Sequence, residues 1–137
     1  MDADAAVHEA LRDFDRAFAA GDAAGLAASF AEDATLLLLY VAPLEGRDAI
    51  RDHWVRVFGT WDTSAWRPER VVVEVHGDRA YALSTYTETL VHRAGVERSR
   101  LVVGRLVQFL RCDPSDGTWL VQLAMNSHAR PIEEVVG

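Results

Sequence analysis

The chain has one cysteine, no lysine and no apolar run that approaches the ~20 residues a membrane-spanning helix requires. Each scarcity excludes a class of protein. The single Cys112 rules out an internal disulfide and any multi-cysteine metal site, and it suits a reducing compartment. The N-terminus, MDADAAVHEAL, is acidic where a secretion signal is basic, so the chain is expected to act in the cytoplasm. All 14 basic residues are arginine, they form no cluster, and the formal net charge is −7. Neither nucleic acid nor an anionic membrane is therefore expected as a partner, since both are held by gathered positive charge. Missing lysine beside abundant alanine reads as coding bias. His8, His53, His76 and His92 show no HxH or HExxH spacing, so neither a metal nor a cofactor is expected.

What is present is enough for one domain: 137 residues, half of them hydrophobic, with no internal repeat. Val7, Leu11, Phe14 and Phe18 recur at three and four, which predicts a helix over roughly residues 4–20 with one buried stripe. Gly21 can take the left-handed conformation that ends it, and Asp22 is a good N-cap for a short second helix carrying Leu26 and Phe30 on one face. Glu32 and Asp33 are expected to break that helix before TLLLLYV, residues 35–41, which is apolar at both parities and reads as a buried strand. Pro43 and Gly46 punctuate; Ile50, Trp54, Val57 and Phe58 then mark a third helix over 47–58. Long strands follow at 66–76, 79–92, 96–112 and 118–127, separated by Gly77-Asp78, Ala94-Gly95 and the turn Asp113-Pro114-Ser115-Asp116-Gly117. Residues 130–137 read as a tail in which Ile132, Val135 and Val136 are the only packing candidates. Helices first and an antiparallel meander after is an α+β plan, with the helices on one sheet face.

Parity divides the strands into two faces. One expected register joins Ala80, Ala82, Ser84, Tyr86 and Glu88 with Leu101, Val103, Arg105, Val107 and Phe109, and with Trp119, Val121, Leu123, Met125 and Ser127. The other joins Leu83, Val102, Leu106, Leu110, Leu120 and Ala124 with Thr85, Thr87, Gln108 and Gln122. Both faces are substantially apolar, and three helices cannot cover two. A homodimer through the outer sheet face is expected.

The sequence AGD at the end of helix one, FAEDATL, the PLEG turn, AIRDHW, GDRAYA and DGTWLV together resemble the nuclear transport factor 2-like superfamily, in its SnoaL-like and ketosteroid-isomerase-like branch. The likeness covers nearly the whole chain as a single domain. It implies a cone-shaped α+β barrel, with three N-terminal helices packed in the concave face of a curved, mostly antiparallel sheet around an apolar pocket. It implies a small-molecule protein, since members include isomerases, polyketide cyclases and dehydratases of secondary metabolism, and also domains that only bind or assemble. The branch's catalytic groups do not all carry over. The oxyanion-hole tyrosine of ketosteroid isomerase falls at Phe14 and its aspartate base at Leu38, so that mechanism in its usual form is excluded. The Asp-Arg-Asp relay of limonene epoxide hydrolase is not visible as a set.

If the helices cover the register of Trp119, then Ser84, Tyr86, Glu88, Arg105 and Ser127 project into the cone, with Tyr40 at its mouth. Glu88 and Arg105 on neighbouring strands either orient a ligand or form a structural ion pair. Arg105, in GRLVQFLRCDPSDGTW, also resembles a pocket arginine of the kinase-association branch, while Tyr86 sits where that branch has another arginine. Tyr86 can donate to a developing oxyanion or simply fill the core. His128 can act as a base only if a bulge re-aims it, because alternation turns it and Asn126 away. Trp54, Trp61 and Trp66 can stack on a planar ligand at the cone mouth, with Phe58 and Met125 also expected to touch it, or they belong to the core. The expected chemistry is cofactor-independent acid–base isomerisation, cyclisation or dehydration of a small apolar carbonyl or polyketide-like compound. Glu88, Arg105, Tyr86 and His128 are its expected catalytic groups, and passive ligand binding is the alternative.

Overall fold

The first helix, α1 (Ala3–Ala20), starts where Asp2 accepts the Ala5 N–H at 2.7 Å and buries Val7, Leu11, Phe14 and Phe18 along one stripe. The coordinates are a computed structural model that describes residues 2–134; Val135 and Val136, expected as tail contacts, lie outside the described residues. Gly21 adopts φ +67° and closes α1, and Asp22 Oδ1 then accepts the Gly25 N–H at 2.9 Å to open α2 (Ala23–Ala28). Strand β1 (Phe30–Leu37) begins five residues earlier than the apolar run suggests. Glu32 and Asp33 do not end a helix. They lie inside the strand, exposed, where its pairing to β7 (Trp119–His128) is irregular, and Asp33 holds Arg111 at 2.8 Å. Phe30 is accordingly a strand residue, buried against Phe14.

The chain leaves the sheet after Leu37, turns through Tyr40 at φ +66°, and returns as β2 (Leu44–Glu45) against β1. Helix α3 (Arg47–Thr60) buries Ile50 and Phe58, and β3 (Trp61–Asp62) follows it directly. The meander consists of β4 (Arg67–His76), β5 (Arg79–His92) and β6 (Arg100–Cys112), then β7 and a short β8 (Glu133–Glu134) in the tail; a 3₁₀ turn at Val96–Arg98 replaces the expected start of the third long strand. The sheet order is β2-β1-β7-β6-β5, with β3 and β4 both on β5 and β8 on β6. Because β1 runs parallel to β7, the sheet is mixed; it curls into a half-barrel around the helices, an α+β cone.

Register corrects the assignment of faces. Residues directly opposite on antiparallel strands share a face, and β5 meets β6 as Glu88 with Val102, Tyr86 with Gly104, Ser84 with Leu106 and Ala82 with Gln108. Val102, Leu106 and Leu110 therefore line the concave side with Tyr86, whereas Arg105 pairs with Thr85 on the outer side. The connection between β5 and β6 ends in the 3₁₀ turn rather than a tight hairpin, and that offsets the strands by one residue from the simple count. In β7, Phe109 meets Leu123 but Leu110 meets Val121, so Gln122 is an extra residue. This bulge reverses the alternation: Trp119 and Val121 point inward, as do Ala124 and Asn126 beyond it, while Met125 and Ser127 point outward.

Candidate functional site

The curled sheet leaves an apolar cavity against α1 and α3, about 450 Å³ of empty space with its mouth included. Phe14 and Phe18 of α1, Trp54 of α3, Phe30, Leu36 and Leu38 from the β1 region, Trp66, and Leu106 of β6 form its walls. The aromatic rings brace each other: Phe18 lies 5.3 Å from Trp54 and 4.7 Å from Trp66, and Trp66 lies 4.4 Å from Tyr86. Three polar side chains enter this lining, namely Tyr86, Glu88 and Asn126.

Tyr86 and Glu88 are two apart on β5 and so project from the same face. Glu88 is buried, takes part in no ion pair or hydrogen bond among the described residues, and has an unpartnered Oε2. Burial alone pushes its carboxyl up to about 7. Burial raises the Tyr86 phenol as well, with Asn126 opposing and Glu88 adding to the rise. Asn126 Nδ2 donates to the Tyr86 hydroxyl at 3.3 Å. The phenol lies directly over Gly104, where a Cβ would come within 2.3 Å of Cζ; any larger residue there displaces the ring.

Behind the cavity, Arg70 of β4 ties the sheet to α1. Its Nη1 donates to Ser84 Oγ at 2.8 Å, and its Nη2 to Asp15 Oδ2 at 2.5 Å and the Leu11 carbonyl at 3.3 Å. Burial raises the Asp15 carboxyl and Arg70 pulls it back; the Trp66 indole N–H approaches the same carboxylate without completing a hydrogen bond.

The expected site residues are thus divided. Phe14, Leu38, Trp54, Tyr86 and Glu88 come together at the cavity. Phe58 is buried behind Trp54, 5.5 Å from it, and does not line the space. Ser84 is fully buried and engaged by Arg70. Trp61 is held in β3, edge-on to His92 at 4.7 Å and under Arg100, because β3 pairs with the far end of β5. Tyr40 is 91 % exposed. His128 borders a separate surface groove with Leu39, Tyr40, Arg130 and Pro131. Arg105, Met125 and Ser127 are on the outer face, so Glu88 and Arg105 are separated by the sheet itself. Trp66, also expected to stack on a ligand, does line the cavity; Asn126, Phe18 and the Asp15–Arg70 pair are the additions. Asp15 had a signal, since it sits beside Phe14 and three residues before Phe18 at the edge of the buried stripe. Asn126 had none without the bulge.

Among the described residues no group of three His, Cys, Asp or Glu is placed to hold a metal, and no helix is long and apolar enough to cross a membrane. A cone with a ring-walled cavity and few polar groups is consistent with a small-molecule-binding or isomerase-type domain. The sequence pattern of the SnoaL-like domain matches residues 11–121, and the chain belongs to that family, within the nuclear transport factor 2-like superfamily. No curated protein sequence matches it. Among solved structures, it is similar to a ketosteroid isomerase-like protein from Erwinia carotovora atroseptica, with TM-score 0.83 and 22% identity over 93% of this chain and 96% of that one. It is also similar to a candidate scytalone dehydratase from Novosphingobium aromaticivorans, with TM-score 0.77 and 16% identity over 96% and 87%. A candidate calcium/calmodulin-dependent protein kinase type II association domain from Thiobacillus denitrificans gives 0.71 and 20% over 88% and 93%. At these identities the likeness is one of fold.

Proposed function

We propose that the cavity binds a neutral, mainly apolar carbonyl compound and moves a proton on it, in an isomerisation, cyclisation or dehydration without a cofactor. The observation that carries this reading is Glu88, a buried carboxyl with no partner inside a ring-walled cavity, raised to about 7. A group with that value holds both protonation states near neutrality, which is what general acid–base catalysis needs. Tyr86 beside it supplies a hydrogen bond to a developing oxyanion. No arginine, lysine or histidine lines the cavity, so an anionic substrate would meet the Glu88 charge uncompensated. Arg105, on the outer face, has no part in this chemistry; the bulge turns His128 to the face of Gly104 and Asn126, but its side chain borders the neighbouring groove and not this cavity.

The direct test is turnover of a panel of β,γ-unsaturated cyclic ketones to their conjugated isomers, followed by absorbance. The wild type is expected to accelerate the reaction, with kcat/KM rising as pH passes through about 7 if Glu88 acts as the base, and Glu88→Gln to lose roughly 100- to 10,000-fold. Undiminished turnover in Glu88→Gln removes the assignment. The passive alternative is favoured by one observation: Phe14 and Leu38, which stand where ketosteroid isomerase carries its tyrosine and aspartate, both face the cavity as bare apolar walls. Tight binding of the ketones with no turnover by the wild type would select it.

We further propose that a second copy of the chain covers the outer sheet face, where Phe109 and Met125 are 42% and 45% exposed and Val71 is 57% exposed. Sedimentation is expected to give a dimer that Phe109→Glu converts to monomer; a wild-type monomer at high concentration excludes the arrangement.

A further inference from the structure

We infer that Asn126 is a positioning residue that makes the Tyr86 hydroxyl a hydrogen-bond donor toward the cavity. The inference rests on the reading of that cavity as a pocket for a neutral carbonyl compound. The Asn126 amide is held at both ends: Oδ1 accepts the Leu39 N–H at 3.0 Å, and Nδ2 donates to the Tyr86 oxygen at 3.3 Å. The first bond fixes the sense of the second. A backbone N–H only donates, so the amide atom facing it is the oxygen, and the atom facing Tyr86 is the NH₂. An NH₂ group also only donates, so the phenol oxygen is the acceptor and its own proton remains uncommitted. Neither Glu88 nor any other acceptor among the described residues receives that proton. The ring cannot swing to find one, being set over Gly104 and packed at 4.4 Å on Trp66. The free proton is therefore presented to whatever acceptor enters the cavity. The Leu39 contact extends the effect, since it places the start of the exposed Leu39–Tyr40–Val41 segment under the same amide.

Asn126→Asp tests this because it keeps the shape and the Leu39 bond but offers Tyr86 an acceptor in place of a donor. The probes are acetophenone, which carries an acceptor oxygen, and ethylbenzene, which has a similar outline without one. Measured at about pH 8, where the new carboxylate is ionised, Asn126→Asp is expected to bind acetophenone about tenfold more weakly and ethylbenzene within about twofold of wild type. The carbonyl stretch of bound acetophenone is expected to shift to its unbonded frequency, and Tyr86→Phe to show the same loss with no further effect of Asn126→Asp in that background. An unchanged acetophenone-to-ethylbenzene ratio overturns the inference. If the wild type binds neither probe, the pocket reading fails, and the Tyr86 titration, isolated by subtracting that of Tyr86→Phe, decides alone: it moves to higher pH in Asn126→Leu if the amide donates, and an unmoved titration overturns the inference.

Discussion

Glu88→Gln is expected to stabilise the fold by about 3 kcal/mol near pH 8 and to leave it unchanged near pH 4. In the native state the carboxyl keeps its proton up to about 7, whereas its ordinary value is 4.5. Between those values the folded chain binds more protons than the unfolded one, so the stability Glu88 contributes is complete below 4.5 and is lost as pH rises through about 7. A glutamine has no charge to bury and avoids that loss. Every other titrating group is common to both proteins, so the difference between their urea midpoints across the pH range isolates Glu88. Two curves that run parallel from pH 4 to 8 would show that Glu88 titrates normally and would take away the basis of its proposed role. The combination of lost turnover with gained stability separates a functional carboxyl from a structural one, for which both would fall.

Arg70→Met is expected to cost about 3 kcal/mol, the low end for breaking a buried ion pair, because Asp15 would be left in a poorly hydrated position with no counter-charge. The two side chains are 23% and 22% exposed, so some water reaches them and the full penalty does not apply. Ser84 Oγ and the Leu11 carbonyl lose a donor at the same time. Chemical denaturation should reveal the loss, and Asp15→Leu combined with Arg70→Met should recover most of it. An Arg70→Met protein as stable as wild type would mean that α1 is held by its apolar stripe alone.

These two residues differ in how far sequence pattern exposes them. Helix caps and stripes are local, and Gly21, Asp22 and the Val7–Phe18 stripe form as their spacing suggests. Glu88 was legible too, because its position relative to Tyr86 depends only on alternation within one strand. What failed was most of what depends on how one strand is offset against the next, although Trp119 and Val121, ahead of the bulge, do share the face of Tyr86. Arg105 was grouped with Glu88 by counting across a connection whose 3₁₀ turn shifts the register, and Met125 and Ser127 by counting across a bulge. The early start of β1 was hidden for a related reason: Glu32 and Asp33 are exposed on an irregular stretch, where charge does not break a strand. The apolar walls share their composition with any core, so Trp54 at the cavity and Phe58 behind it cannot be told apart before the helix is docked.

The extra residue in β7 also bears on how such a cavity can change. Gln122 is accommodated at a point where β6, β7 and β1 all adjust their pairing, and everything downstream of it is inverted relative to a regular strand. Loss of that one residue would place Leu123 directly after Val121, opposite Phe109 and Leu110 as they already are, so the ladder would become regular and Asn126 would keep its inward place. Only a slip of the downstream half by one residue would turn Asn126 to the outside and bring Met125 and Ser127 to the cavity wall. The floor of the pocket is thus encoded in where a strand stores its extra residue as much as in its side chains, and a shift of that bulge along β7 offers a route between linings that stepwise replacement would reach only through several intermediates.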